Sequence, residues 1–242
     1  MNADFHRVLA DFWQRGMWPK GGNASFIALV PKVLAKVIDD NQFSFLGGRN
    51  MLDNVVVLNK VLHAARKLKK PTLVFKVDYE MTYDLVSWTF LAYMMRRVLF
   101  SERWIKWIMS CLGSTSMSVL VYGSPCEELR MGKGLRQGDP LALFLFLIVA
   151  QGLNGFFSKA VNLDRFHGFT FGEDLGIDIS MLQLSYDTIF VGDASIQNVQ
   201  TLKCVLRCFE LVSGLKVNFH KRNVAGVAVA GGCLRQFAAV LY

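Results

Sequence analysis

The sequence predicts an α+β fold. Helices with amphipathic spacing alternate with β-hairpins rather than with single strands, so no doubly wound order develops. Two stretches, TLVFKVD at 72–78 and QLSYDTIFVGD at 183–193, carry the short apolar pattern of buried strands. With 52% hydrophobic residues and 19 Phe in 242 residues, the chain can build a large core. Global disorder is excluded, because disordered chains are poor in aromatics and rich in charge.

The elements follow in order. Phe5, Val8, Leu9 and Phe12 give helical spacing over 2–15, and SFIALV at 25–30 reads as a strand stopped by Pro31. An amphipathic helix spans 53–68, ends in the basic run Arg66, Lys67, Lys69 and Lys70, and is broken by Pro71. In the strand at 72–78, Leu73, Phe75 and Val77 share one face. Ser87 and Ser101 cap helices running to about 99 and 112. A strand at 116–122, a turn at Gly123-Ser124-Pro125 and a return strand at 127–131 make a hairpin. Asp139 is an N-cap with Pro140 at the first helical position, opening a helix to about 160. The hairpin at 183–193 has its expected tip at Tyr186-Asp187. Ser195 caps a helix to about 212 that Gly214 ends, and 215–219 is a last short strand.

Lys and Arg exceed Asp and Glu by 27 − 19 = +8. On a globular chain such a surplus favours a polyanionic partner: nucleic acid, a membrane surface or a nucleotide. The five cysteines include no C-x-x-C pair, and Cys204 and Cys208, one helical turn apart, suit a buried face better than a zinc site. Free thiols imply a reducing, intracellular compartment, nucleus or cytoplasm. The N-terminus lacks the architecture of a signal peptide. The apolar run at 141–150 is shorter than the roughly 20 residues that span a bilayer, so a core helix is expected and no membrane partner.

Two regions can carry chemistry. Asp78 ends one strand and Asp187 sits at a hairpin tip. Two carboxylates on neighbouring antiparallel strands could hold divalent cations of the kind that serve phosphoryl transfer. On spacing alone, turn and strand-end aspartates without metal explain them as well. In MGKGLRQGDP, 131–140, Gly132, Gly134 and Gly138 allow close approach of a ligand, and Lys133 and Arg136 supply charge ahead of a helix N-terminus. The segment does not match the P-loop pattern, and a structural loop is the plainer reading.

Together the segments resemble the reverse transcriptase of LINE-type (non-LTR) retrotransposons, particularly the plant kind. FKVDYEMTYDLVSW is similar to the first catalytic motif of that family, F-K-V-D-F-E-K-A-Y-D-S-V-x-W. GLRQGDPLALFLF is similar to the second, G-L-R-Q-G-D-P-L-S-P-F-L-F, and LQLSYDTIFVGD to the aspartate box L-Q-F-A-D-D-T-L-L-L-G. GLKVNFHK at 214–221 resembles the motif that follows, and NASFIALVPK, QFSFLGGRNMLDNVVVLNKVLHAARK and VLVYGSP resemble segments before and between.

The resemblance implies a right-hand polymerase: an antiparallel palm at 72–225 with fingers insertions, remnant fingers at 1–71, a tail at 226–242, and no thumb. It implies Mg²⁺ or Mn²⁺, an RNA template, a DNA primer and deoxynucleoside triphosphates. Asp78 matches the first metal ligand and Asp187 the second aspartate of the box. Tyr83 matches the residue that screens the sugar 2′ position, and Gln137 and Gly138 the loop that positions template and nucleotide. Tyr79, Arg136 and either Lys216 or Lys221 fall on nucleotide- or template-facing stretches; packing or solvated surface is the plain alternative for each.

The chain departs from the family at Tyr186, which stands in place of the first box aspartate. A phenol with an ordinary pKa of about 10 is neutral at pH 7 and offers no carboxylate. Losing even an outer partner of a metal ligand costs roughly 10–100-fold, and a direct anionic ligand more. Asp193, six residues further along a strand and so roughly 20 Å away, cannot take its place. Met81, Thr82, Ala142 and Leu143 also depart, and PKVLAKVIDDNQ at 31–42 stands where the family has a longer segment including D-F-R-P-I-S-L of the fingers. Three readings stay open: an RNA-directed DNA polymerase, a non-catalytic nucleic-acid-binding remnant, and a decayed element product without a selected role. Weak or absent polymerase activity is the expectation.

Overall fold

The computed structural model describes Gln14 and residues 51–241, apart from 81, 115, 119, 123, 128, 172–175, 185–186 and 219–222. Gln14 aside, the helix expected at 2–15 and the strand expected at 25–30 lie outside the described residues, as do Tyr186 and Lys221.

The chain enters through helix α1 (Met51–Leu68). Strand β1 (Thr72–Val77) follows, then the two-residue β2 (Tyr79–Glu80). Helices α2 (Trp88–Arg97) and α3 (Glu102–Gly113) lead to β3 (Ser116–Met117), β4 (Leu120–Val121), β5 (Ser124–Pro125) and β6 (Leu129–Arg130). The long α4 (Pro140–Asn162) is followed by β7 (Phe169–Phe171), β8 (Ile177–Ile179), β9 (Met181–Leu184) and β10 (Asp187–Asp193). Helix α5 (Ile196–Ser213), β11 (Lys216–Val217), β12 (Asn223–Val227) and α6 (Gly231–Leu241) complete the described chain.

The expected caps form. The side chains of Ser87, Ser101 and Ser195 each accept from the backbone N–H three residues on, and Asp139 accepts from Leu141 N–H. Each satisfies one of the N–H groups that a helix start leaves without an intrahelical partner.

The main sheet is antiparallel, in the order β12-β1-β10-β9. Side-chain alternation gives it two different faces. Leu73, Phe75 and Val77 of β1, Phe190 of β10 and Met181 of β9 join α2, α4 and α5 in the larger core. Phe157 packs edge-on to Phe166 and tilted against Phe190, each at 4.8 Å between ring centroids. The other face, through Ile189, Val191 and Leu182, meets Val61 and Ala65 of α1 in a second core. Apolar burial on both sides is why the strand sequences read as nearly continuous hydrophobic runs. By length and composition the Leu141–Asn162 stretch of α4 could cross a bilayer, the one such helix among the described residues; it is mostly buried inside the fold.

Several expectations change. Pro125 pairs with Leu120 and Ser124 with Val121, so Ser124 and Pro125 are strand residues rather than turn residues. Asp187 pairs with Leu184 as the first residue of β10, so it stands in the strand and not at the tip. Cys204 and Cys208 are exposed, not buried. The buried face of α5 is set by Val199, Leu202, Val205, Leu206 and Phe209, and the cysteines fall on the opposite side. β11 is not the last strand, because β12 pairs along β1, and the tail is ordered as a helix whose Phe237 and Leu241 are buried.

Candidate active site

The site lies where β1 ends. The β1–β10 register runs from Thr72↔Asp193 to Val77↔Thr188. One further step sets Asp78 opposite Asp187, on strands about 4.8 Å apart. By alternation both face the same side as Lys76 and Ile189. The backbone holds Asp78 in place: its carbonyl accepts from Asn218 N–H at 2.8 Å, and its Oδ1 accepts from Tyr79 N–H at 2.9 Å. The Lys76 ammonium lies 2.7 Å from Asp187 Oδ2, with both side chains partly exposed.

Beyond Asp78 the chain turns through 82–86 and meets the glycine-rich segment at 131–140. Gly134 N–H donates to Val86 O and Leu135 N–H to Tyr83 O, both at 2.8 Å. Trp88 Nε1–H donates to Gly134 O at 2.6 Å. Gly134 has φ +87°, and a Cβ there would sit 2.6 Å from Asp84 O, so the contact admits only glycine. Gly214, φ +79°, closes the same segment from the other side: a Cβ would overlap Leu85 O, and Ser87 N–H donates to Ser213 O at 2.8 Å.

This joining makes an open groove of about 480 Å³ lined by Thr82, Tyr83, Gln137 and Gly138. The Tyr83 ring packs 6.0 Å from Phe146, and Gln137 Nε2–H donates to Asp84 Oδ1 at 3.3 Å. The structure thus brings Tyr83, Gln137 and Gly138 together, from positions more than fifty residues apart. Arg136 is exposed next to them. Lys216 is exposed on β11, paired in register with Glu80.

Tyr79 goes elsewhere. Its side chain is 6% exposed, its ring is edge-on to Phe209 at 6.1 Å, and its phenol faces Thr188. Burial pushes that phenol far above its ordinary range, with the charge of Glu210 adding to the effect and Thr188 opposing it. Its ring belongs to the core, and the expectation of a nucleotide- or template-facing side chain is corrected: strand alternation turns Tyr79 away from the side that Asp78 faces. Asp193 sits at the far end of β10, 3.3 Å from Lys70 Nζ. The basic run after α1 therefore lies at the opposite end of β1 from Asp78.

Sequence reading missed Lys76 and Thr82. The signal for Lys76 was present, since it stands two residues before Asp78 on one strand and must share its face. Thr82 entered the sequence reading only as a departure from the family motif; the groove wall it forms exists only once 134–138 docks.

The donors can be tested against a pair of divalent ions, which needs several anionic oxygens. Among the described residues no three His, Cys, Asp or Glu side chains converge. Of the two facing carboxylates, one is already engaged by an ammonium. This set does not fit two metal ions.

Comparison with known proteins agrees with the fold. Residues 24–228 match the family model "Reverse transcriptase (RNA-dependent DNA polymerase)". The chain is 24% identical to the transposon TX1 uncharacterized 149 kDa protein of Xenopus laevis, over 62% of this chain and 14% of that protein. It is 26% identical to a retrovirus-related Pol polyprotein from the type-1 retrotransposable element R2 of Popillia japonica, over 75% of this chain and 24% of the relative. The chain thus spans a quarter or less of these curated relatives. Among solved structures it resembles apo telomerase from Candida tropicalis, with TM-score 0.58 and 13% identity over 95% of this chain and 44% of that one. Telomerase from Candida albicans, in complex with a fragment of telomeric RNA, gives TM-score 0.58 and 12% identity over 94% of this chain and 37% of that one. The antiparallel sheet with helices behind it is a polymerase palm, and the chain belongs to the reverse transcriptase family as a domain of the non-LTR retrotransposon type.

Proposed function

We propose that this chain is a palm of the plant LINE type that has lost nucleotidyl transfer and keeps a groove suited to nucleic acid. The observation that carries the proposal is the carboxylate corner. Asp78 and Asp187 stand in register on adjacent strands, and the residue before Asp187 is Tyr186, where the family resemblance puts a further aspartate. Two carboxylates, one paired with Lys76, are too few anions to gather two divalent ions. The shortened fingers stretch at 31–42 adds to the loss. RNA template, DNA primer and deoxynucleoside triphosphates are the ligands this ancestry supplies. Tyr83, Gln137 and Gly138 line the surface that would meet them, and the +8 charge supplies attraction for phosphate. The five free cysteines support a reducing intracellular compartment.

The test is primer extension on an RNA template, with Mg²⁺ and with Mn²⁺, comparing the native chain with Tyr186→Asp. The native chain is expected to extend no primer. Extension by the native chain overturns the proposal. Extension by the variant alone assigns the loss to the tyrosine. If neither extends, the shortened fingers account for the loss. Binding of the native chain to primer–template should weaken steeply with salt, as phosphate contacts require.

A further inference from the structure

The Lys76 ammonium is in contact with one of the two carboxylates of the site. Its backbone fixes that outcome. Lys76 and Asp78 lie two residues apart on one strand, so both side chains leave by the same face. On β10, Ile189 is directly opposite Lys76, and Asp187 is two residues along on that face, within diagonal reach of a long side chain. Deeper on this face the neighbours are apolar: Val74, Ile189 and Val191 against Val57, Leu58 and Val61 of α1. A lysine at this border can lay its stem beside apolar neighbours while its charge stays partly exposed. The ammonium ends 2.7 Å from Asp187 Oδ2.

We propose that Lys76 is the resident counter-ion of the palm's carboxylate pair, and that a divalent cation must break its ion pair with Asp187 to bind. The inference rests on the reading of Asp78 and Asp187 as that pair. Charge supports it. Among the described residues, two carboxylates and one ammonium leave a net −1, less than a divalent ion requires. An aspartate at 186 would restore −2 with Lys76 still present. In this chain the lysine is left as the better-matched cation.

The experiment is a Mn²⁺ titration read by the electron paramagnetic resonance of free Mn²⁺, on the native chain, Lys76→Met, Lys76→Arg, Asp187→Asn and the Lys76→Met/Asp187→Asn pair. Lys76→Met is expected to bind Mn²⁺ about tenfold more tightly than the native chain, by removing both a competitor and a nearby positive charge. Lys76→Arg should stay at the native affinity. In the Asp187→Asn background Lys76→Met should give little gain. Measurable binding by Lys76→Met where the native chain binds too weakly to measure is also the expected result. Equal affinities, weaker binding in Lys76→Met, no binding in either, or a full gain without the Asp187 carboxylate overturn the inference. If circular dichroism finds Lys76→Met unfolded, Lys76→Gln carries the same comparison. Primer extension by the native chain would overturn the proposed loss of activity and leave this inference standing. An unchanged Mn²⁺ affinity would do the reverse.

Discussion

Replacing Gly134 by alanine tests how the two motif segments are joined. The perturbation is one methyl group in two kinds of difficulty. At φ +87° an L side chain costs about 1–2 kcal/mol on conformational grounds alone. The methyl would also lie 2.6 Å from Asp84 O, a backbone atom that cannot step aside without moving the 82–86 turn. Relief of that contact strains two hydrogen bonds, Gly134 N–H to Val86 O at 2.8 Å and Trp88 Nε1–H to Gly134 O at 2.6 Å. At about 1–1.5 kcal/mol for each bond, the total is about 3–5 kcal/mol. For a chain of this size 1 kcal/mol moves Tm by about 2–4 °C, so Gly134→Ala should melt about 6–20 °C lower. Gly138→Ala is the control. It shares the left-handed backbone, φ +82°, but a Cβ there meets nothing within 4 Å. Its cost should stop at about 1–2 kcal/mol. Thermal unfolding followed by circular dichroism measures both. If the two variants melt together, the close approach of Gly134 to Asp84 does not hold the two segments together, and the groove is formed by something else.

Two further outcomes follow from particular side chains. Asn198 is fully buried; its Oδ1 accepts from His167 N–H, and its amide donates to His167 O and Asp193 O, all at 2.9 Å. Asn198→Leu orphans all three groups and should cost roughly 3–5 kcal/mol by urea unfolding; a loss under about 1 kcal/mol would mean the amide is not what fixes the start of α5 to β10. Burial, with the Asp139 charge second, pushes the Cys111 thiol up to about 11 from an ordinary 9.0. The folded state resists deprotonation there, so this group leaves stability unchanged below pH 9 and lowers it as pH rises from 9 towards 11. Unfolding curves of native and Cys111→Ser chains should therefore diverge in that window, the native losing more; parallel pH profiles would contradict the burial.

The local chemistry of this protein is written in its sequence. Serine and aspartate caps, Pro140 at a first helical position and Gly214 at a helix end are each decided within a few residues, and each forms where the residues direct. The motif order likewise pointed to a palm, because Asp78 and Asp187 must end neighbouring strands for those motifs to have meaning. Other features were decided by packing. Cys204 and Cys208 have the spacing of a buried pair, but larger apolar residues at 199, 202, 205, 206 and 209 claim the inner face of α5. β12 contains a glycine and has little strand character of its own; it becomes a strand because β1 offers an open edge. Tyr79 and Asp78 are adjacent in sequence and opposite in role, since strand geometry sends one ring into the core and one carboxylate to the surface. The groove of Tyr83, Gln137 and Gly138, and the reach of Lys76 to Asp187, join residues far apart in the chain. Such contacts depend on register and docking, which only the tertiary structure sets.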